Sequence, residues 1–491
     1  MSKLTTSSTS TSSSINRWQR DIRRRQAREF YERTADEREL WKSRNWYYYQ
    51  ELEKFCRFMV PPGSRVLEVG CGTGSLLAAL EPSVGVGIDW SEKSLSRARE
   101  KHPHLAFLLG DAESLQLNER FDYIILSNLL GIIVDVQEAL EQLQPLCHEQ
   151  TRIIILDYNY LWEPFLELAK KIGWGMKHPA QNWLPVSVLH ELLELAGFDV
   201  VRTSSVLLMP VYLPLLSPFM NRWIAKLPLI QRLCLVKTVI ARPRFKPPQG
   251  RPASCSVVIP CRNERGTIPS IVERMPSLGS STELIFVDGH STDGTADEIK
   301  RVIRENPHKN IQLLEQKGIG KGDAVRQGFA HAQGDILIIL DADMTVAPEE
   351  MPKFYRALTN GQGEFINGTR LIYPLDGEAM RFLNLMANKM FSSLFTYLLE
   401  QEFHDTLCGT KALWRRDYER IAKNRSYFGD FDPFGDFDLL FGAARLNLQI
   451  KEIPVRYCER VYGETNIRRF AHGWLLLKMC RIAALRLKFA R

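Results

Sequence analysis

The stretch Gly334-Asp-Ile-Leu-Ile-Ile-Leu-Asp341-Ala342-Asp343 limits the fold of this chain more than any other. A short, continuous apolar run bounded by turn and charge signals reads as a buried strand of a parallel sheet, covered on both faces by helices. It ends on two carboxylates separated by one alanine. In a strand, positions i and i+2 share a face, so Asp341 and Asp343 are expected to aim at one point beyond the carboxyl end. Open α/β sheets place their ligands there. Two hard oxygen donors at such a point suit Mg²⁺ or Mn²⁺, together with a nucleotide diphosphate.

The same grammar recurs along the chain. Arg65-Val-Leu-Glu68-Val-Gly70-Cys-Gly72-Thr-Gly74 reads as a strand, a glycine loop and the start of a helix. Val84 to Asp89, Leu105 to Asp111 with Ala112, Phe121 to Asn128 and Thr151 to Asp157 supply further strands, several ending on an acid. An acid at the end of the second strand can accept hydrogen bonds from a ribose diol. A fresh series begins at Ser254-Cys-Ser-Val-Val-Ile-Pro260-Cys-Arg262-Asn263-Glu264, continues through Glu283 to Asp288, and reaches Lys317-Gly-Ile-Gly320-Lys321-Gly322. Backbone amides and lysines in that last run suit a phosphate path. Strands alternating with helices predict two doubly wound α/β domains. Ala241 to Ala253, basic and rich in proline, reads as the linker between them. The expected organisation is therefore residues 1–15 disordered, a first domain over 16–240, the linker over 241–253 and a second domain over 254–491.

With 491 residues, 45% hydrophobic and 25% charged, the chain has room for several cores. A net charge of +7 fits anionic substrates or an anionic surface. Nine cysteines form no Cys-x-x-Cys pair, which argues against structural zinc and for a reducing cytoplasm. The Ser/Thr-rich start has no apolar core of a secretory signal, and no run of about twenty apolar residues predicts a spanning helix. The arginines between Arg17 and Arg25 read as a solvated helical face rather than a nucleic-acid arm. Trp46-Tyr47-Tyr48-Tyr49 reads either as core or as a lid over a small ligand. Leu207 to Val239 is apolar but broken by Pro210, Pro214, Pro218 and Pro228, so it is a latch on the sheet or a membrane-surface element. Glu378 to Leu399 sets Leu383, Met386, Met390, Leu394 and Leu398 at helical spacing, with Asn384, Asn388 and Ser392 on another face. In the tail, Lys478, Arg481 and Lys488 share one face of a helix. Both read as surfaces that meet lipid and its anionic headgroups, or as helices covering the sheet.

Glu68 to Gly74, Asp89, Asp111 and Ala112 closely resemble the class I S-adenosylmethionine-dependent methyltransferases, over roughly Tyr48 to Val206. The resemblance implies that Glu68, Gly70, Gly72 and Gly74 belong to the S-adenosyl-L-methionine site, that Asp89 holds the ribose hydroxyls and that Asp111 and Ala112 lie at the adenine. Ser127-Asn128-Leu129-Leu130 lacks the Asn-Pro-Pro-Tyr type signature of the nucleic-acid methylators, so no nucleic-acid partner is expected. A small molecule, a sugar or a lipid is the implied acceptor.

From Ser254 to about Arg469 the chain resembles family 2 glycosyltransferases of the A-type fold, nearest the dolichol- or polyprenyl-phosphate mannose and glucose synthases. Asn367-Gly-Thr-Arg370, Asp405-Thr-Leu-Cys-Gly409-Thr-Lys411, Asp436-Phe-Asp438 and Arg460-Val-Tyr-Gly-Glu-Thr465 carry that likeness. It implies that Pro260, Arg262, Glu264, Asp288 and Gly322 frame the nucleotide sugar. Asp341, Ala342 and Asp343 would serve the metal and diphosphate. Arg370, Asp405 and Arg460 would belong to the catalytic set, the arginines meeting the acceptor phosphate or the leaving group. Two departures stand out: Asp288 is followed by Gly289 where many relatives have a second aspartate, and Asn466 replaces a lysine, with Arg468 nearby as a substitute. The implied enzyme acts on a polyprenyl phosphate from the cytoplasmic face of a membrane. A polysaccharide synthase would need spans and a Gln-x-x-Arg-Trp motif, and a degenerate scaffold would not keep both sets of site residues.

Overall fold

The computed structural model describes residues 8–173, 181–244, 251–373, 382–427, 436–460, 462 and 469–490. The chain divides into two compact units at Arg244/Phe245.

The first unit opens with helices α1 (Ser8–Arg33), α2 (Ala35–Arg44) and α3 (Trp46–Met59). Its sheet comprises β1 (Arg65–Val69), β2 (Val84–Asp89), β3 (Ala106–Leu109), β4 (Phe121–Ser127), β5 (Cys147–Tyr158), β6 (Phe198–Val206) and β7 (Val236–Pro243). Their order is β3-β2-β1-β4-β5-β7-β6. β1 to β5 are parallel, and β7 is antiparallel to both neighbours. Covered on both faces, β4 and β5 carry short apolar runs, Ile124 to Leu126 and Ile153 to Leu156. Ile125, Ile154 and Leu156 belong to the core beneath α3, while Leu67, Ile124 and Ile153 belong to the core of helix Val186–Leu195. α3 buries Tyr48, Leu52, Phe55, Cys56 and Met59 along one stripe, each larger side chain worth about 1.5–3 kcal/mol of transfer energy. The Trp46–Tyr49 tract is thus core at Tyr47 and Tyr48, with Trp46 exposed.

Two boundaries differ from expectation. Residues 8–15 form the start of α1 instead of a disordered tail; no glycine or proline separates the Ser/Thr run from the charged helix. The first seven residues lie outside the described set. Val236–Pro243 is sheet, so Ala241, Arg242 and Pro243 leave the expected linker: Ala241 pairs with Ile153, Arg242 with Asp199 and Pro243 with Phe198. Proline at a strand end removes no needed donor. Residues 207–235 are an excursion between β6 and β7, with short helices at Leu216–Arg222 and Pro228–Gln231.

The second unit contains β8 (Cys255–Cys261), β9 (Thr282–Asp288), β10 (Asn310–Glu315), β11 (Ile336–Ile339), β12 (Phe365–Thr369), β13 (Lys411–Trp414) and β14 (Ile450–Pro454). The order is β10-β9-β8-β11-β13-β12-β14. The half from β10 to β11 is parallel, and β13 is antiparallel between β11 and β12. Every residue of β11 is fully buried. Cys261 pairs with Asp288, so β8 and β9 end side by side.

Helix Phe382–Leu399 divides the expected stripe: Met386 and Met390 face outward and Leu398 is buried, with Asn388 and Ser392 buried on the other face; Glu378 to Arg381, with Asn466 and Arg468, lie outside the described residues. In the tail, Lys488 is buried and paired with Glu400 at 2.7 Å, so it is no headgroup-facing cation. The outward face of helix Arg469–Ala483 carries Trp474, Leu477, Lys478 and Arg481. Among the described residues no helix is long and apolar enough to cross a membrane.

Candidate active sites

In the first unit, Val69 pairs with Ile88 on one side and Leu126 on the other, so β1, β2 and β4 end together. The Gly70–Gly74 loop crosses this edge. Gly70 and Gly74 have φ of +79° and +72°, and a Cβ there would stand 2.8 Å from Leu129 Cδ1 and 2.5 Å from Phe107 Cζ respectively. Only glycine meets both demands. The Gly72 N–H donates to Asp89 Oδ2 at 2.8 Å and the Ser91 N–H to Oδ1 at 2.9 Å, which aims the buried carboxylate. In front of it lies a cleft lined by Gly70, Asp89, Asp111, Ala112, Asn128 and Arg38. Carboxylate oxygens with lone pairs to spare suit a diol at one end of such a cleft.

Gly70, Asp89, Asp111 and Ala112 are therefore brought together, as the sequence led us to expect. Gly72 and Gly74 shape the loop behind the cleft. Glu68 does not line the cleft: it is buried and accepts the Leu77 N–H at 3.1 Å, anchoring the helix after the loop. Burial pushes its carboxyl up to about 8, against the pull of Lys42 and the Leu77 amide.

Sequence reasoning missed the cover. Arg24 of α1 pairs with buried Glu113 and, at 2.9 Å, with Glu138, so the arginine cluster is not merely a solvated face. Arg38 of α2 lies 4.6 Å from the Tyr31 ring centroid, and Tyr31 lies 5.6 Å from Trp90. Tyr48 of α3 donates to Asn128 Oδ1 at 2.8 Å. The aromatic tract was the one sequence signal that pointed here.

In the second unit, β11 stops at Ile339, so Asp341 and Asp343 occupy the turn after the strand instead of its last residues. Lys321, at the start of helix Lys321–His331, pairs with Asp341 Oδ1 at 2.6 Å. Its neighbour Gly322 is buried beneath. The Thr345 N–H and hydroxyl donate to Asp343 Oδ1 at 3.1 and 2.9 Å. A Cβ on Gly409 would collide with Asp341 Oδ2 and Lys321 Nζ, so the Asp405–Gly409 loop closes directly over this pair. The two carboxylates are hard oxygen donors of the kind a divalent cation takes, and Lys321 holds the charge of Asp341 in its place here. No third acid, histidine or cysteine joins them among the described residues.

Arg370 follows β12 and pairs with Asp405 at 2.7 Å, its guanidinium 5.0 Å from the Tyr457 ring. Arg460 pairs with Glu264, beyond β8. The segment after β14 thus runs from the Thr369 carbonyl through Thr345, which accepts the Cys458 N–H at 3.0 Å, to Glu264. Burial raises the Glu264 carboxyl to about 7, opposed by Arg460 and reinforced by Asp343. Asp288 is buried and accepts the Ser291 N–H at 3.2 Å. Pro260 pairs with Val287, and Arg262 is exposed. Glu264 Oε2, Asp288 Oδ1, Asn367 Oδ1, Asn388 Oδ1 and Thr406 Oγ1 are buried without a hydrogen-bond partner. Each such atom costs about 1–3 kcal/mol unless something fills the site. Glu264 stands just beyond β8 and Asp288 at the end of β9, where these oxygens can accept from a polar ligand.

Family models agree with both geometries. One described as a methyltransferase domain matches residues 22–203, and one described as glycosyl transferase family 2 matches residues 256–421. The undecaprenyl-phosphate 4-deoxy-4-formamido-L-arabinose transferase of Shewanella sediminis is 28% identical over 214 residues, covering 43% of this chain and 60% of that protein. Glycosyltransferase AglJ of Haloferax volcanii is 27% identical over 227 residues, 46% of this chain and 70% of the relative. This chain accordingly spans about 60% of the length of the first of these relatives. Among solved structures, a Thermotoga maritima SAM-dependent methyltransferase aligns at 20% identity over 44% of this chain and 98% of its own, with a TM-score of 0.36. Glucosyl-3-phosphoglycerate synthase of Mycobacterium tuberculosis aligns at 21% identity over 48% and 81%, with a TM-score of 0.35. Residues 22–203 thus match a methyltransferase domain and residues 256–421 match glycosyl transferase family 2, one stretch in each unit.

Proposed function

We propose that the protein is bifunctional. Its second domain transfers a hexose from a nucleotide-diphosphate sugar to a polyprenyl phosphate with inversion, and its first transfers a methyl group to a small-molecule, sugar or lipid acceptor. The observation that carries the sugar-transfer reading is the cluster of Asp341, Lys321, Asp343 and the Arg370–Asp405 pair at the strand ends. A cation held by Asp341 and Asp343 would supply positive charge for the departing nucleotide diphosphate. Glu264, Asp288 and Arg262 frame the nucleotide, and the Asp405–Gly409 loop excludes water above it. A phosphate monoester is already anionic at neutral pH, so the acceptor needs orientation more than a base. Helix Phe382–Leu399 supports a lipid acceptor: Asn388 reaches inward to Asp405 while Met386 and Met390 face out. The relative named for an undecaprenyl-phosphate substrate supports the same reading. In the first domain, Asp89, Asp111, Ala112 and Gly70 would hold S-adenosyl-L-methionine, which supplies the electrophilic methyl. We place the protein on the cytoplasmic face of a membrane, peripherally bound.

The test is a mass-spectrometric scan of nucleotide sugars against purified polyprenyl phosphates in the presence of Mg²⁺ or Mn²⁺. A glycosylated lipid phosphate is the expected product. Consumption of sugar nucleotide with a non-phosphate acceptor alone would reject the assignment.

A further inference from the structure

Between β6 and β7 the first unit turns the usual polarity of a surface loop inside out. Ser217 and Asn221 are buried. The Ser217 hydroxyl donates to the Val211 carbonyl at 2.6 Å and accepts the Leu213 N–H at 2.9 Å. Asn221 accepts the Leu208 and Met209 N–H groups at 2.9 Å, and its amide donates to the Met209 carbonyl at 2.9 Å and to Tyr47 Oη at 3.1 Å. These bonds fix the loop. What it turns outward is apolar: Val211, Leu213, Leu215, Phe219, Leu229 and Leu233 are 45–88% exposed. Leu215, at 88%, is held at φ +64°, a backbone region leucine enters only against steric resistance. The Trp162 indole donates to the Leu233 carbonyl at 2.8 Å and so joins this face to helix Glu163–Lys171, where Phe165 and Leu168 are also exposed. Loops in water set polar side chains outward and keep apolar patches small.

Charge selects the occupant. From Val200 through Arg244 there is no Asp or Glu, and Arg222 and Arg232 are exposed within the excursion. A two-fold contact between copies would bring these unaccompanied cations together, whereas anionic headgroups complement them. Tyr212 and Trp223, partly exposed, are the side chains a bilayer interface favours. α3 ties the loop to the cleft: Tyr47 meets Asn221, and the next residue, Tyr48, meets cleft-lining Asn128.

We propose that this face inserts into an anionic bilayer and that the methyl acceptor is an amphiphile reached from it. The proposal rests on the methyltransferase reading above and names the acceptor class that reading leaves open. An amphiphile presents an oxygen or nitrogen at headgroup depth and leaves its tail in the lipid; that atom would bond the methyl carbon as the sulfonium S–CH3 bond breaks, S-adenosylhomocysteine leaving with the electron pair and the acceptor's proton passing to water.

The test uses the full chain with Leu215→Cys carrying an environment-sensitive fluorophore; eight of the nine native cysteines are buried, and Cys458→Ser removes the other. With vesicles of phosphatidylcholine and phosphatidylglycerol, the label should shift to the blue and be quenched by lipids brominated in the acyl chain. Arg222→Glu with Arg232→Glu, or high salt, should abolish both signals. A label that stays in water while the chain floats with the vesicles would overturn the proposal, because the second unit would then carry the binding. So would a label covered by self-association without vesicles. With vesicles containing a chloroform–methanol extract of bacterial membranes and tritiated S-adenosylmethionine, label should enter the organic phase. Leu215→Asp with Phe219→Asp should cut that by about tenfold or more while cofactor affinity measured by calorimetry stays unchanged. Label entering only water-soluble material, indifferent to those substitutions, would refute the amphiphile. Wild-type protein that binds no cofactor would instead refute the cofactor assignment and leave the vesicle result standing.

Discussion

Arg370 holds Asp405 in a fork, Nε to Oδ2 at 2.7 Å and Nη2 to Oδ1 at 2.9 Å. Asp405 also accepts the Asn388 amide at 2.9 Å and the N–H groups of Arg370 and Leu407. Burial opposes its charge, but Arg370 and these donors outweigh it and hold the carboxyl below the ordinary 3.8. With that fork engaged, Arg370 positions the Asp405–Gly409 loop over Asp341. Asp405→Ala should leave a guanidinium buried without its counter-ion and cost about 3–5 kcal/mol in denaturant unfolding of the second unit. Its stabilisation is present above pH 3.8 and lost as pH falls through the lower folded value.

Asp341→Asn and Asp343→Asn keep shape but remove hard anionic ligands. Sugar transfer should fall on the order of 10²-fold or more in each, with partial recovery in excess Mn²⁺. Full activity of the wild type in chelator would reject the metal assignment.

Asp89→Ala removes the acceptor of the Gly72 and Ser91 amides as well as the proposed diol ligand. S-adenosylmethionine binding by calorimetry should weaken by about 1.5–3 kcal/mol for each charged hydrogen bond lost. Sugar transfer should not change. Equal loss of both activities would mean that the two units do not act independently.

Glu264 and Arg460 make the proposed nucleotide site sensitive to pH. Folding favours the protonated form of Glu264, raised from 4.5 to about 7, so the stability it contributes is full below 4.5 and lost as pH rises through 7. Arg460 pulls that value down. Arg460→Ala should therefore move the Glu264 titration, followed by isotope-edited NMR, above 7; a downward move would contradict the ion pair.

Lys488→Ala should destabilise the second unit by about 3–5 kcal/mol through the buried charge left on Glu400. Vesicle binding should be unaltered, since Lys488 never faces the lipid. Flotation and thermal melting separate the two effects.

Much of this was legible because strand ends and glycine turns are written locally. The Gly70–Gly74 loop, Asp89 and the Asp341/Asp343 pair each follow from a few consecutive residues. Glu68 lies in the same motif yet is buried behind the loop, a distinction made by the Leu77 amide. Periodicity gives a helix two faces without saying which is inward: Glu400, distant in sequence, turns Lys488 inward, and Asp405 does the same for Asn388. β7 was missed since its proline-rich approach disguises it and its partners lie on β5 and β6.

β7 gives the first unit an order of assembly. Val200 to Val206 gains its hydrogen-bonding neighbour only when Val236–Pro243 slides between it and β5. During synthesis β5 and β6 leave the ribosome before the strand that separates them. A fragment cut at Val206, where the sequence likeness ends, would expose two unpaired strand edges, and one cut at Ile240 would sever the strand itself. The sheet of the first unit is complete only when the chain has passed Pro243.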